Sequence, residues 1–257
     1  MLILALDTTT RGGSVAITRD DTLLALVKGD ATRTHGERVP GEMARALAEA
    51  GVRASALDLL AVASGPGAFT GLRIGLAAMQ GLAMALDRPV AGVPTLQALA
   101  WISDDIDASG AADDADDTDG VGRHRFVVPW MDGQRGDVFA AIYAVMAGMP
   151  PDQWRPWPVV EDATADKPAA LLERWRTTLK ESRAVFIGDA VERDRAVIDR
   201  VGAGQWRCRT PGPLAPAIAR IGRRLAPAGL AGRPHALAPV YARRPDAEIE
   251  RDRRGVP

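Results

Sequence analysis

Asp7 is the carboxylate whose surroundings in this sequence are most suggestive of chemistry. It ends an apolar run in "LALDTTTRGGSVAI" and is followed by three threonines and a Gly-Gly turn. An aspartate at the end of a strand can order a water bound to magnesium, while nearby hydroxyl and N–H groups meet a phosphate. Asp7, Thr8, Thr10 and Ser14 are therefore candidates for binding ATP or ADP with Mg²⁺. The open alternative is that they only satisfy the turn between two strands.

A glycine-rich stretch, "SGPGAFTGLRIG" at residues 64–75, raises the same question. A P-loop needs Lys and then Ser or Thr after its last glycine, where this sequence has Leu72 and Arg73. The dinucleotide-binding pattern fails as well, because Thr70 occupies its third glycine position. Pro66 also has no N–H to offer a phosphate. Neither standard phosphate-binding motif is present.

The histidines and the cysteine form no pattern typical of catalysis. His35, His124 and His235 are too far apart in the sequence to place two ligands on one helical face, and Cys208 has no histidine near it. No serine lies in a Gly-x-Ser-x-Gly motif. We therefore expect no catalytic residue and no metal site.

Bulk composition narrows the class of protein. The 257 residues carry a net charge of −1, so the whole molecule has no electrostatic bias toward nucleic acid. A single cysteine excludes a disulfide framework within the chain. The opening run "MLILALDTTT" is too short for a signal peptide or a membrane span, so we expect a cytoplasmic protein without membrane contact.

The elements that must position these residues alternate between strands and helices. Three short strands come first, followed by a helix from about Pro40 to Ala50. A buried strand, a helix over about 71–86, another strand and a helix capped by Thr95 come next.

The second half returns to a mixed pattern after an acidic interruption. Residues 104–120 hold eight aspartates and almost no apolar side chain, which predicts a mobile loop. Two strands around the turn "GQRG", a helix near 168–180, a strand "AVFIGD" and helices near 191–201 and 214–226 follow. This layout predicts an α/β fold of two similar lobes.

The helix after the glycine-rich stretch is apolar nearly all round. In "GLRIGLAAMQGLAMALD" only Arg73 and Gln80 are polar before Asp87. A surface helix of a soluble protein has a broad polar face, so this one must be covered, either within its own domain or by another chain. The small residues that would let a neighbouring helix approach closely are Gly71, Gly75, Ala78, Gly81 and Ala85.

Five segments occur in a characteristic order: "LALDTTT", "HGERVPGEM", "SGPGAFTGLRIGLAAMQGLA", "GVPTLQALA" and "MDGQRGDVFAAIY". Together they closely resemble the bacterial TsaB family, also called YeaZ. The similarity is dense over residues 1–102, fair over 126–145 and thin over 146–230, and it returns weakly at "PVYAR".

The resemblance implies the actin-like ATPase fold, which is RNase H-like and has two similar lobes. The first lobe would comprise residues 1–102 plus about 212–242, and the second 103–211. The tail, 243–257, would be charged and frayed. Its arginines either contact phosphates or remain solvated beside the acidic residues that alternate with them.

The resemblance also implies a non-catalytic subunit in the synthesis of threonylcarbamoyladenosine beside the anticodon of tRNA. The catalyst would be a paralogue, TsaD, which binds the metal and transfers the threonylcarbamoyl group to tRNA. A small ATPase, TsaE, would join the two. TsaD has a His-x3-His metal site, whereas this chain has His35 followed by Val39.

The family uses the helix near 40–50 and the helix over 71–86 to form a helical bundle with TsaD or with a second copy of itself. We therefore expect a heterodimer and a homodimer. The implied partner interface comprises Met43, Leu47, Phe69, Thr70, Leu72, Arg73, Gly75, Leu76 and Met79.

One departure and one competing function remain. The family's Asp-Ala-Arg motif appears here as Asp132-Gly133-Gln134-Arg135, so its role does not transfer directly.

The competing function is a free-standing ATPase or phosphotransferase of the same fold that uses Asp7. It needs a second phosphate loop, for which "IGDAVERD" is a poor candidate.

Overall fold

A computed structural model describes residues 1–108, 125–145, 157–180 and 182–243. The elements of the first half are β1 (Leu2–Asp7), β2 (Ser14–Arg19), β3 (Thr22–Lys28), α1 (His35–Glu49), β4 (Leu59–Gly65), α2 (Phe69–Leu86), β5 (Val90–Pro94) and α3 (Thr95–Ala108). Those of the second half are β6 (Arg125–Asp132), β7 (Val138–Ala144), β8 (Val159–Asp166), α4 (Pro168–Leu179), β9 (Arg183–Ile187), α5 (Val191–Gly202), β10 (Arg207–Arg209) and α6 (Ala215–Leu225).

Two five-stranded sheets share one strand order. The first sheet runs β3-β2-β1-β4-β5, and the second runs β8-β7-β6-β9-β10. In each sheet the first three strands along the chain pair antiparallel, and the last two join in parallel. The repeated order confirms the predicted α/β fold of two similar lobes.

The central strand β1 is buried on both faces and divides the first lobe. Leu2, Leu4 and Leu6 pack on the side of α1 and α2, while Ile3 and Ala5 face α3 and α6. The helix α3 also contacts the second sheet, whose far face is covered by α4 and α5. The layers therefore run helix, sheet, helix, sheet, helix.

The last helix, α6, packs against the first sheet although the second lobe precedes it in the chain. The backbone N–H of Ala215 donates to the Ser14 hydroxyl oxygen at 3.1 Å. A Cβ added to Gly222 would lie 2.7 Å from the Cβ of Ala61, which is closer than real side chains pack. Glycine at 222 therefore allows α6 to cross the sheet closely.

The helix predicted from about Pro40 begins five residues earlier, at His35. The N–H and the hydroxyl of Thr34 both donate to the Glu37 carboxylate, which is a capping box. Pro40 lies inside the helix rather than at its start. The predicted start was wrong because the capping box, and not the proline, sets the first turn.

Other predicted boundaries also change. The acidic loop predicted over 104–120 begins within α3, which continues to Ala108 because no glycine or proline interrupts it before Gly110. Residues 109–120, the tail from 244 and His124 lie outside the described residues. The strands β8 and β10 were not predicted, because β8 has no buried residue and β10 has only three residues.

A buried polar contact joins the second sheet to α5. The indole N–H of Trp130 donates to Asp194 Oδ2 at 2.8 Å, and Asp194 is 8% exposed. The neighbouring Arg193 donates to the same carboxylate at 2.9 Å. Because a buried indole N–H without an acceptor is costly, Asp194 fixes α5 against the sheet.

Replacing Asp194 with Ala should lower the free energy of unfolding by about 1–3 kcal/mol, because it strands the Trp130 N–H. Asp194→Asn keeps an acceptor and should cost less. The control is Asp199→Ala, on the exposed side of the same helix. Urea unfolding measures all three variants, and equal stability of Asp194→Ala and Asp199→Ala would contradict the role of this contact.

Candidate functional site

Asp7 holds the turn after β1 in shape through hydrogen bonds. Asp7 is 1% exposed, and its Oδ1 accepts from the Thr9 N–H at 2.8 Å and from the Thr9 hydroxyl at 2.6 Å. Its Oδ2 accepts from the Thr10 hydroxyl at 2.7 Å. Both carboxylate oxygens therefore accept hydrogen bonds from the turn that follows. This is the arrangement expected if these residues satisfy the turn between the two strands.

The other candidate nucleotide-binding groups are engaged or enclosed as well. Thr8 is fully buried, and its hydroxyl has no hydrogen-bond partner among the described residues. A Cβ on Gly75 would collide with that hydroxyl, so Thr8 lies directly under α2. The Ser14 hydroxyl accepts from Ala215. As placed, Asp7, Thr8, Thr10 and Ser14 build the turn and do not fit a nucleotide with its metal ion.

The glycines of the stretch 64–75 make room for this turn. Added Cβ atoms at Gly67, Gly71 and Gly75 would clash with Thr9 or Thr8. At Gly71 and Gly75 the close neighbour is the chain's own turn, and not the neighbouring helix that the sequence suggested. The stretch is a packing motif, and only its spacing resembles a phosphate loop.

Arg38 joins α1 to the same turn. It is 4% exposed, and its Nη1 donates to both carboxylate oxygens of Glu42 at 2.9 and 2.8 Å. Its Nη2 donates to the backbone carbonyls of Gly12 and Arg11. This buried pair was missed at the sequence level, where Arg and Glu four residues apart give only the common signal of a surface pair.

His35 completes the polar cluster around Arg38. Its Nδ1 lies 2.7 Å from Arg38 Nη2 and accepts a hydrogen bond from that guanidinium, so Nδ1 carries no proton. Burial, and then the charge of Arg38, lower the pKa of His35 below its ordinary value, against smaller opposing effects of Asp7 and Glu42. The histidine therefore helps to hold α1 on the turn.

Two carboxylates of the second lobe, Asp132 and Asp189, lie close together, and the Asp132 N–H donates to Asp189 Oδ1 at 2.9 Å. Burial raises the pKa of Asp189, and the charges of Asp132 and Asp7 raise it further. Asp132 pairs with Arg193 at 2.7 Å. Within the described ranges, no three His, Cys, Asp or Glu side chains converge as a metal site.

The outer face of α2 is apolar and uncovered. By length and composition alone this helix would be apolar enough to cross a membrane, yet only 33% of it is buried in the chain. Among the described residues, nothing lies within 4 Å of a Cβ added at Gly81. The residues that are exposed or half-buried along one side are Thr70, Arg73, Ile74, Ala77, Ala78, Gly81, Met84 and Ala85. We call this surface the outer α2 face.

The residues predicted to contact a partner divide between the surface of the chain and its core. Phe69, Thr70 and Arg73 are exposed, and Leu47 is half-buried. The remaining five, Met43, Leu72, Gly75, Leu76 and Met79, are buried within the chain's own first lobe. A substitution at Gly75 would therefore test folding rather than partner binding.

The repeated strand order, with helices between the two sheets, defines the actin-like ATPase fold. A family model for TsaD, tRNA N6-adenosine threonylcarbamoyltransferase, matches residues 27–110, which include α1 and α2. That match covers less than half of the chain.

Three similar proteins refine this assignment. The tRNA threonylcarbamoyladenosine biosynthesis protein TsaB of Bacillus subtilis is 26% identical over 255 residues, or 97% of each chain. The Escherichia coli protein of the same name is 39% identical over 100 residues, covering 39% of this chain and 43% of that protein. A crystal structure from Pseudomonas aeruginosa, of an uncharacterized protein with similarity to peptidase YeaZ, covers 94% of this chain and 99% of that one. It has 25% identity and a TM-score of 0.68. The chain is thus similar to the TsaB (YeaZ) proteins over most of its length.

Replacing Arg38 with Met should destabilise the protein by about 3–5 kcal/mol, because it leaves Glu42 buried without its partner. The control is Arg45→Met on the same helix, where the Arg45–Glu49 pair is exposed and should be worth less than about 1 kcal/mol. Chemical denaturation measures both variants. Equal stability losses would show that the Arg38–Glu42 pair does not hold α1 in place.

The lowered pKa of His35 predicts a pH-dependent stability. The unfolded chain takes up a proton at about pH 6.5, where the folded chain does not, so this contribution is complete above that pH and falls below it. A His35→Gln variant should therefore lose less stability than the wild type between about pH 7.5 and pH 5.5. Urea unfolding at each pH measures the difference, and parallel pH profiles would contradict it.

Proposed function

We propose that the chain is a non-catalytic subunit in the biosynthesis of tRNA threonylcarbamoyladenosine, and that it binds and activates a TsaD-type transferase. The observation that carries this proposal is the outer α2 face. An apolar helical surface with a single charged residue, Arg73, is typical of a protein contact rather than of a surface facing water.

The occupant of this face is argued from the family model. Residues 27–110 of this chain resemble TsaD, and this segment contains both α1 and α2. A TsaD-type protein therefore carries a counterpart of the same helix pair. Two similar helix pairs can pack face to face about an approximate twofold axis, as in a homodimer. A second copy of this chain would compete for the same surface.

The different roles proposed for this chain and for the transferase follow from the hydrogen bonds that hold the β1–β2 turn. Asp7 accepts hydrogen bonds from Thr9 and Thr10, so its oxygens are committed to holding the first lobe in shape. What this lobe offers a partner is a rigid helical surface. Activation would then consist of holding the transferase in its competent conformation.

The other proposed partners join through the complex. A TsaE-type ATPase and tRNA would bind the assembly of the two paralogues, in the cytoplasm. A chain with a net charge of −1 has little attraction of its own for tRNA phosphates, which fits a subunit that meets tRNA beside a partner.

Replacing Ala77 with Arg should abolish complex formation with the TsaD-type protein of the same organism, because it places a charge in the middle of the outer α2 face. Light scattering of the mixture gives the mass of the complex. Mass spectrometry of tRNA nucleosides gives the threonylcarbamoyladenosine formed when TsaD-type protein, TsaE-type protein and tRNA are added. Both signals should fall together.

The matched control is Ala196→Arg, the same change at an exposed position of α5 in the second lobe. It should leave complex formation and modification intact. Failure of the wild-type chain to bind the TsaD-type protein would overturn the proposed function. Normal binding by a folded Ala77→Arg variant would remove the outer α2 face from it.

A further inference from the structure

The chain that follows α6 crosses the first lobe over residues 226–243, with a 3-10 turn at Pro234–Ala236, and we call this segment the strap. Gly232 and Val90 exchange backbone hydrogen bonds at 3.0 Å at the edge of the first sheet. The Gln80 side-chain amide then donates to the carbonyls of Pro234 and Leu237 at 2.9 and 3.0 Å. Gln80 is the polar residue that interrupts the apolar sequence of α2, and the strap explains its presence.

The first lobe is shaped to receive the strap. A Cβ at Gly92 would lie 2.6 Å from Leu237 Cδ1, and a Cβ at Gly65 would collide with the carbonyl oxygen of Val240. The N–H of Val240 donates to the Ser64 carbonyl at 2.7 Å. Because residues of both β4 and β5 form the surface on which the strap packs, the backbone path of the strap is part of the fold.

The strap ends in an organised aromatic cluster at the start of α2. The ring centroids of Phe69 and Tyr241 are 5.7 Å apart, and the Arg73 guanidinium carbon lies 3.8 Å above the Phe69 ring. Arg73 Nε also donates to the Tyr241 hydroxyl at 3.2 Å. The cluster nevertheless stays open to solvent, with Phe69 42% and Tyr241 38% exposed.

This cluster has the properties of a binding anchor. Aromatic residues and arginine dominate the residues that carry the energy of protein interfaces. The stacking and the hydrogen bond already fix the three side chains, so a partner would lose little entropy by ordering them. Val240, 46% exposed, adds an apolar surface beside them.

We propose that the end of the strap, at Val240 and Tyr241, forms part of the docking surface, and that Phe69, Arg73 and Tyr241 are its anchor for the TsaD-type partner. The inference rests on the proposed function and extends its surface beyond the two helices. Phe69 begins α2 and Arg73 belongs to the outer α2 face, so the cluster is continuous with that face. The occupant is therefore the same partner.

The test is the affinity for the TsaD-type protein, measured by isothermal titration calorimetry on the full chain. Tyr241→Ala should weaken binding by about tenfold or more, as loss of a central aromatic anchor does. Tyr241→Phe keeps the ring and loses only the hydroxyl, and it should stay within about threefold of wild type.

Two controls separate direct contact from loosening of the strap. Leu230→Ala removes another exposed apolar side chain of the strap, and Gln80→Ala removes the two hydrogen bonds that hold its middle. Both should bind like wild type. A Gln80→Ala variant as weak as Tyr241→Ala would overturn the anchor, because order of the strap would then explain the effect.

The outcomes also distinguish this inference from the proposed function. If wild type binds, Ala77→Arg does not and Tyr241→Ala binds normally, the anchor is wrong and the outer α2 face stands. If wild type itself does not bind the TsaD-type protein, both are overturned.

Discussion

The close contact between α2 and the β1–β2 turn is the constraint on which the first lobe depends. No side chain fits at Gly67, Gly71 or Gly75, because Thr8 and Thr9 occupy the space. This β1–β2 turn must also keep one shape. Asp7 fixes it through hydrogen bonds within the turn, and Arg38 fixes it through a hydrogen bond from α1. Two helices and the central strand are thereby locked together around a few buried polar groups.

This arrangement gives the two sides of α2 different surroundings. The groups at the end of β1 that would otherwise face a ligand are used to stabilise the turn. The glycines turn one side of α2 toward that turn, and its opposite side stays apolar and open. The same packing that fills the space around the candidate nucleotide site therefore leaves an apolar helical surface open on the opposite side.

The sequence predicted the strands and helices well, but it predicted poorly the contacts between residues that are far apart in the chain. The apolar run of β1 and the repeated order of strands and helices were readable, because runs and periods of apolar residues report which segments and faces are buried. The inner and outer sides of α2 could not be separated, since nearly all of its side chains are apolar. The contacts of Arg38 with Gly12, and of Arg73 with Tyr241, join residues 26 and 168 positions apart, and no local pattern announces them.

The return of α6 to the first sheet has a consequence for synthesis on the ribosome. The inner face of β1 is covered by a helix that begins at Ala215, which is 201 residues after its hydrogen-bond partner Ser14. Until that helix leaves the exit tunnel, Ile3 and Ala5 lack part of their cover. The second lobe lies between β1 and α6 in the chain, so its synthesis is already complete at that point. The carboxyl-terminal lobe can thus fold first, and the amino-terminal sheet must wait for almost the whole chain.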